Sequence, residues 1–238
     1  MTLVRRNLLK YLCLSLPLGL LATGCASNNA VSPESLPETV QIDPALFNLS
    51  GLLSPVEVLE NQFREMHDAG ISPVASDAVD IFQSGQEARW RTVLADTAFE
   101  LFRIRQFLSI RIPLIAIFSE NGSDIDPSAY ASLELMADVF SEFEQTVIEI
   151  AAHTDDPGSP SYNLDLSARR ARSLARFLET RNVRSARIIE MPVGASYPVA
   201  NEETAVGRGL NRRIEITLVP YTSSEIDSLT TGTQGVLP

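Results

Sequence analysis

Between Ala152 and Ala171 the chain reads AHTDDPGSPSYNLDLSARRA, and within it a carboxylate, Asp155, and a guanidinium, Arg170, stand fifteen positions apart across a strand, a loop and a helix. Brought together, these groups would clasp a small zwitterion, the aspartate accepting from an ammonium and the arginine holding a carboxylate, each hydrogen bond strengthened by charge. Taken alone, the pair reads equally as a salt bridge pinning the loop to the helix, since surface ion pairs are common and weak. Asn163 is predicted as the N-cap of that helix, whose free N–H groups already favour an anion. His153 invites a metal or catalytic reading. His67 is the only other histidine, however, and one imidazole with carboxylates makes an atypical metal site. Its plainer role is a ring that, with Thr154, shapes the strand end. The adjacent Asp155 and Asp156 do not make an acid/base dyad, and the sequence carries no nucleophile constellation, Gly-rich phosphate loop or zinc-ligand run. The chemistry is that of a binder, with no catalytic residues, no cofactor and no metal.

The elements that must position this pair follow from periodicity. Thr97 to Phe118 alternates like paired strands forming a hairpin. Asp126 and Pro127 give an N-cap with proline at the first helical position, and Tyr130, Leu133, Ala137 and Phe140 continue at helical spacing. Val147 to Ala152 is apolar except for Glu149, as an interior strand is. A second helix is predicted over 163–181, burying Leu166, Ala171, Leu174, Ala175 and Leu178, with Arg169, Arg172, Arg176 and Glu179 outside. A strand over 186–191, a short helix over 202–209 and a last strand over 212–219 complete a βαβαββ order. Right-handed crossovers place both main helices on one face of a mixed sheet, giving an α/β fold of the α+β two-layer sandwich kind.

With Asn211-Arg212-Arg213-Ile214, the stretch around Asp155 resembles the OmpA-like peptidoglycan-binding domain of OmpA tails, Pal lipoproteins and MotB-type stators, over roughly residues 107 to 220. The resemblance implies peptidoglycan as ligand, through the diaminopimelate of its stem peptides, whose free end carries an ammonium and a carboxylate on one carbon. It implies that Asp155 and Arg170 contact that end and that Asn163 and Leu166 hold two further contacting positions. Asn211 and Arg212 border the family's cleft, as support for the loop or as structure only. Gly194, Pro198 and Gly207 match its turn positions, where glycine permits unusual backbone angles. Two departures stand out. Ala152 replaces a usual glycine, which would press on the loop, and Ser119 stands where an aspartate often lies, leaving contacts there to Asn121.

The N-terminal residues read as an export signal over 1–24: Arg5, Arg6 and Lys10 form a positive head, Leu12 to Leu21 an apolar run, and Leu21-Ala22-Thr23-Gly24-Cys25 a lipobox-like close. The run is short for a membrane span, which needs about 20 apolar residues. Cys25 is thus the predicted lipidation site, bearing palmitate, with plain secretion or a retained signal anchor as the alternatives. Ala26 in place of aspartate points to the outer membrane, so the predicted address is its periplasmic face. Cys13 would leave with the signal, and the remaining chain would have no disulfide. Loss of the three leader cations takes the formal net charge from −11 to −14, which disfavours nucleic acid and anionic headgroups. Lys10 is the only lysine, so beyond the leader any wall attachment must be reversible rather than through a lysine amine. Residues 25–53 read as a flexible tether, with a reach of about 30 Å as a coil and about 95 Å stretched. Residues 54–96 read as a small helical segment, 97–220 as the OmpA-like domain and 221–238 as a disordered tail. The function these readings imply is a lipoprotein tethering the outer membrane to the wall. The alternative is an accessory of an envelope or secretion complex that docks through the helical segment.

Overall fold

Alternating branched residues dictate the sheet. In the computed structural model, which describes residues 55–104, 107–119, 122–155 and 158–224, the strands are β1 (Glu100–Ile104), β2 (Phe107–Pro113), β3 (Thr146–His153), β4 (Ile188–Gly194) and β5 (Arg213–Pro220). Their order is β1-β2-β5-β3-β4; only the β3–β4 pair is parallel. Leu108, Ile110 and Ile112 stand in register with Leu218, Ile216 and Ile214, and these with Ile148, Ile150 and Ala152. All nine are buried on one face, because a strand turns alternate side chains the same way. The predicted leader with Cys25, the tether, Asn121 and the part of the predicted 221–238 tail beyond Ser224 lie outside the described residues; Tyr221 and Thr222, expected in that tail, are instead buried.

Three helices cover that face. Helix α2 (Val79–Leu94), α3 (Tyr130–Glu142) and α4 (Pro160–Glu179) contribute Trp90, Leu133, Phe140, Ala171, Leu174 and Leu178 to the same core. Asp126 caps the turn leading into α3, accepting from Ser128 N–H at 2.9 Å. Trp90 is fully buried edge-to-face on Phe140, with centroids 4.9 Å apart. The last turn of α3 is held by Arg187, which donates to the carbonyls of Phe140, Phe143 and Thr146 at 2.8, 2.9 and 3.0 Å. A cation at the negative end of a helix dipole is well placed, and here burial lowers its pKa to about 10.

The α+β sandwich has a partial third layer that the sequence reading did not place. Helix α1 (Pro55–Asp68) packs Leu59, Phe63 and Met66 on the opposite face of the sheet, against Phe107, Val147, Ile189, Val219 and Tyr221. Gln62 Nε2 donates to Ala186 O at 2.5 Å, and Arg184 Nη1 donates to Ala69 O at 3.1 Å. Val74 pairs with Thr222 just beyond β5. The apolar stripe of α1 is therefore occupied by its own domain.

Candidate cleft at the end of strand β3

β3 and α4 meet at a junction built around Gly194. Its backbone has φ +61°, and a Cβ there would sit 3.3 Å from the Leu164 nitrogen and 3.4 Å from the Asn163 carbonyl carbon. Glycine is thus required on both counts, angle and space. Gly194 O accepts from Thr154 N–H at 2.9 Å, and Gly194 N–H donates to Ser167 Oγ at 3.1 Å. The β3–β4 register slips at this point, between Ala152 and His153, and such bulges re-aim the residues that follow. Thr154 and Asp155 emerge from it over the first turns of α4. The methyl of Ala152 is buried in the main core opposite Ile214 and Pro192, so it is accommodated there and does not press on the loop.

Helix α4 starts earlier than the spacing predicts, and Asn163 is not its cap. Ser159 takes that place, its side chain accepting from Tyr162 N–H at 3.2 Å, with Pro160 first in the helix. A Ser-Pro pair is a sufficient start signal by itself. One turn in, Asn163 is buried on the same stripe as Leu166, Ser167 and Arg170. Asn163 Nδ2 and Thr154 Oγ1 are both buried and find no hydrogen-bond partner.

Arg170 is 4% exposed. Its Nε donates to Gly122 O at 2.9 Å, and its guanidinium carbon lies 6.0 Å from the centroid of Phe118. Burial lowers its pKa, the charge of Asp155 raises it, and Arg212 lowers it again. Asp155 therefore lies within electrostatic range without pairing with Arg170. Its hydrogen-bond partner is Arg212, whose Nη1 donates to Oδ2 at 3.4 Å. The ordinary Asp155–Arg170 salt bridge is not what this fold makes.

Asn211 is wholly buried and shapes the neighbouring loop. Its Oδ1 accepts from the N–H groups of Val199 and Ala200 at 2.8 and 3.0 Å, and its Nδ2 donates to Ala200 O at 3.0 Å. Gly207, in α5 (Ala205–Asn211), is required for space, not for an unusual angle. A Cβ there would be driven into the carbonyl of Asn201, within 2.7 Å of its carbon.

Next to these residues lies a charged cluster whose assembly the sequence does not announce: His153 and Arg213 stand out singly, but Arg111 and Glu215 look like ordinary surface residues on alternating strands. Glu215 accepts from Arg213 Nε at 2.8 Å and from Arg111 Nη2 at 3.3 Å, and His153 Nε2 lies 3.8 Å from its other oxygen. Arg213 also donates to the carbonyls of Asn211 and Tyr197, both at 3.3 Å, fixing the backbone beside Arg212. Burial, then the charges of Arg213 and Arg111, hold the His153 pKa well below its usual value. Two guanidiniums so near make this a poor seat for a metal cation.

The OmpA family profile matches residues 117–212, which span the cleft from Phe118 to Arg212. The chain is 31% identical over 142 residues to the probable lipoprotein YiaD of Escherichia coli (strain K12), covering 60% of this chain and 65% of that one. It therefore spans just under two thirds of that relative. It is 30% identical over 138 residues to the outer-membrane lipoprotein YfiB of Pseudomonas aeruginosa, covering 58% of this chain and 80% of that one. Among solved structures, a MotB-like protein from Desulfovibrio vulgaris shares the fold, with a TM-score of 0.53 at 20% identity, covering 60% of this chain and 95% of that one. On the family profile and a likeness spanning most of YfiB, the chain belongs to the OmpA family.

Proposed function

We propose that this protein is a lipid-anchored protein of the outer membrane that binds peptidoglycan non-covalently and so ties membrane to wall. In this reading Asp155 and Arg170 receive the diaminopimelate end of a stem peptide, Asp155 taking the ammonium and Arg170 the carboxylate. Asn163, Leu166 and Thr154 line the cleft, Asn121 is a further contact, and Cys25 carries the acyl anchor. No part of the reading calls for catalysis. The observation that carries it is a buried cation and a mostly buried carboxylate at one sheet end, each bonded to something other than its partner. Two opposite charges so placed, with orphaned polar atoms of Thr154 and Asn163 beside them, suit a ligand carrying both signs. YiaD is named a probable lipoprotein, which supports the anchor, and YfiB an outer-membrane lipoprotein, which supports the address as well.

The test is co-sedimentation with purified sacculi. The wild-type chain is expected to pellet, and Asp155→Ala and Arg170→Ala are each expected to stay in the supernatant with their fold retained. Each substitution leaves one ligand charge without a partner, a loss of about 2 to 5 kcal/mol. Equal pelleting by all three proteins would reject the proposal.

A further inference from the structure

Among the described residues the cleft brings together three charges, not two, and the role of the third depends on diaminopimelate being the ligand of the other two. Asp155 is engaged by Arg212, with 12% of the aspartate side chain and 45% of the arginine side chain exposed. The two arginines are held differently. Arg170 is buried and fixed through Gly122 O and Phe118. Arg212 has a firm backbone, its N–H bonded to Arg208 O at 3.1 Å between buried Asn211 and Arg213, but its side chain reaches across the surface to a single long contact. A pair with a half-exposed arginine and one long bond is weak and easily exchanged.

An ammonium arriving at Asp155 replaces the Arg212 guanidinium as the partner of that carboxylate. Arg212 is then released at the ligand's side with no anion of its own. Among the described residues, with Arg169 paired to Asp165 at 3.0 Å, one aspartate and two arginines leave the corner one positive charge in excess. A zwitterion does not balance it, whereas an end group with one ammonium and two carboxylates does. A diaminopimelate that ends its stem peptide has that composition: the ammonium and carboxylate of its side chain, and a free main-chain carboxylate.

We propose that Arg212 is a specificity residue that holds Asp155 while the cleft is empty and passes to the main-chain carboxylate of the ligand when the ammonium arrives, favouring stem peptides that end at diaminopimelate. Its rigid backbone keeps the guanidinium within reach of both anions, and its exposure lets it move between them.

The experiment uses two synthetic tripeptides ending in diaminopimelate, alike except for a free carboxylate or a carboxamide at the C-terminus. Each is titrated calorimetrically into the full chain purified in detergent, at low ionic strength. Wild type is expected to bind the free acid about two- to five-fold more tightly, the range of an exposed ion pair. Arg212→Gln is expected to lose that preference and to bind the carboxamide no more weakly than wild type, since the competitor for Asp155 is gone. Arg212→Lys keeps the charge and is expected to keep the preference. Equal affinities in wild type, or a preference that survives in Arg212→Gln, would overturn the role of Arg212 while leaving the Asp155–Arg170 cleft standing. Binding of neither peptide by wild type would defeat the cleft reading itself, and this inference with it. The wild-type comparison decides even if a variant fails to fold.

Discussion

Arg170 divides its donors in two directions: Nε is fixed on Gly122 O, and in the proposed complex the remaining end of the fork faces the ligand carboxylate. A lysine has one compact head and cannot serve both. Arg170→Lys is therefore expected to lower sacculus binding about tenfold or more while leaving thermal stability close to wild type. The deficit should widen as pH approaches about 9, because a desolvated lysine loses its proton far more readily than an arginine. Sedimentation at two pH values checks this; a Lys variant that binds like wild type would show that binding does not use the guanidinium fork. Asp155, Arg170 and Asn163 were singled out in the sequence by motif spacing shared with the resembling family; side-chain type alone left the first two readable as a salt bridge and Asn163 as a helix cap, the place Ser159 takes. Gly122 was not, since its contribution is a backbone carbonyl that no residue pattern announces. The Asp155–Arg212 pair was equally invisible: 57 positions separate its members, and only the β3–β5 pairing brings them together.

Strand β3 shows both what alternation reveals and what it hides. Its apolar face was plain from Ile148, Ile150 and Ala152, and Glu149 stood out as the one charged interruption. Glu149 keeps part of its surface accessible, yet the protein around it desolvates the carboxyl and pushes its pKa up to about 7, from an ordinary 4.5. The unfolded chain ionises near 4.5 while the folded one holds its proton to about 7. Stability from this group is therefore intact below the lower value, falls as pH rises between the two, and is lost above the higher. The ceiling on that loss is about 3 kcal/mol, less whatever the remaining solvent contact relieves. His153, on the same strand, acts in the opposite sense. Held neutral in the fold, it costs stability as pH falls below 6.5, where the unfolded imidazole takes up a proton. Denaturant melts across pH are expected to show Glu149→Gln more stable than wild type at about pH 8, by about 1 to 2 kcal/mol, and level with it near pH 4. The acid-side loss from His153 should persist in the variant. Parallel pH curves for the two proteins would show that Glu149 is better solvated than its position implies.

At the scale of the whole molecule, the βαβαββ order and the two helices on one face followed from periodicity and crossover handedness, but the seat of α1 did not. An amphipathic stripe says that a helix is covered, not by what; α1 lies on the sheet face opposite the one that α2, α3 and α4 cover. In the fold α1 closes over Phe107, Val147, Ile189 and Val219, and Phe63 stacks on Tyr221 with centroids 5.4 Å apart. Among the described side chains of α1 the exposed ones, Arg64, Glu65, His67 and Asp68, are polar. A protein docking on this helix would meet that charged side and would be sensitive to salt. Trp90, the only tryptophan in the chain, lies in the main core on the other side of the sheet and reports on that core alone. Phe63→Ala removes a fully buried ring and is expected to cost about 3 to 5 kcal/mol if α1 folds as one unit with the sheet. In that case the Trp90 fluorescence transition and the far-ultraviolet circular dichroism transition shift together to lower denaturant, because the two cores share every central strand. If the Trp90 transition stays in place while helical signal is lost early, α1 is a separately detachable element, and the helical segment regains its claim as a docking part.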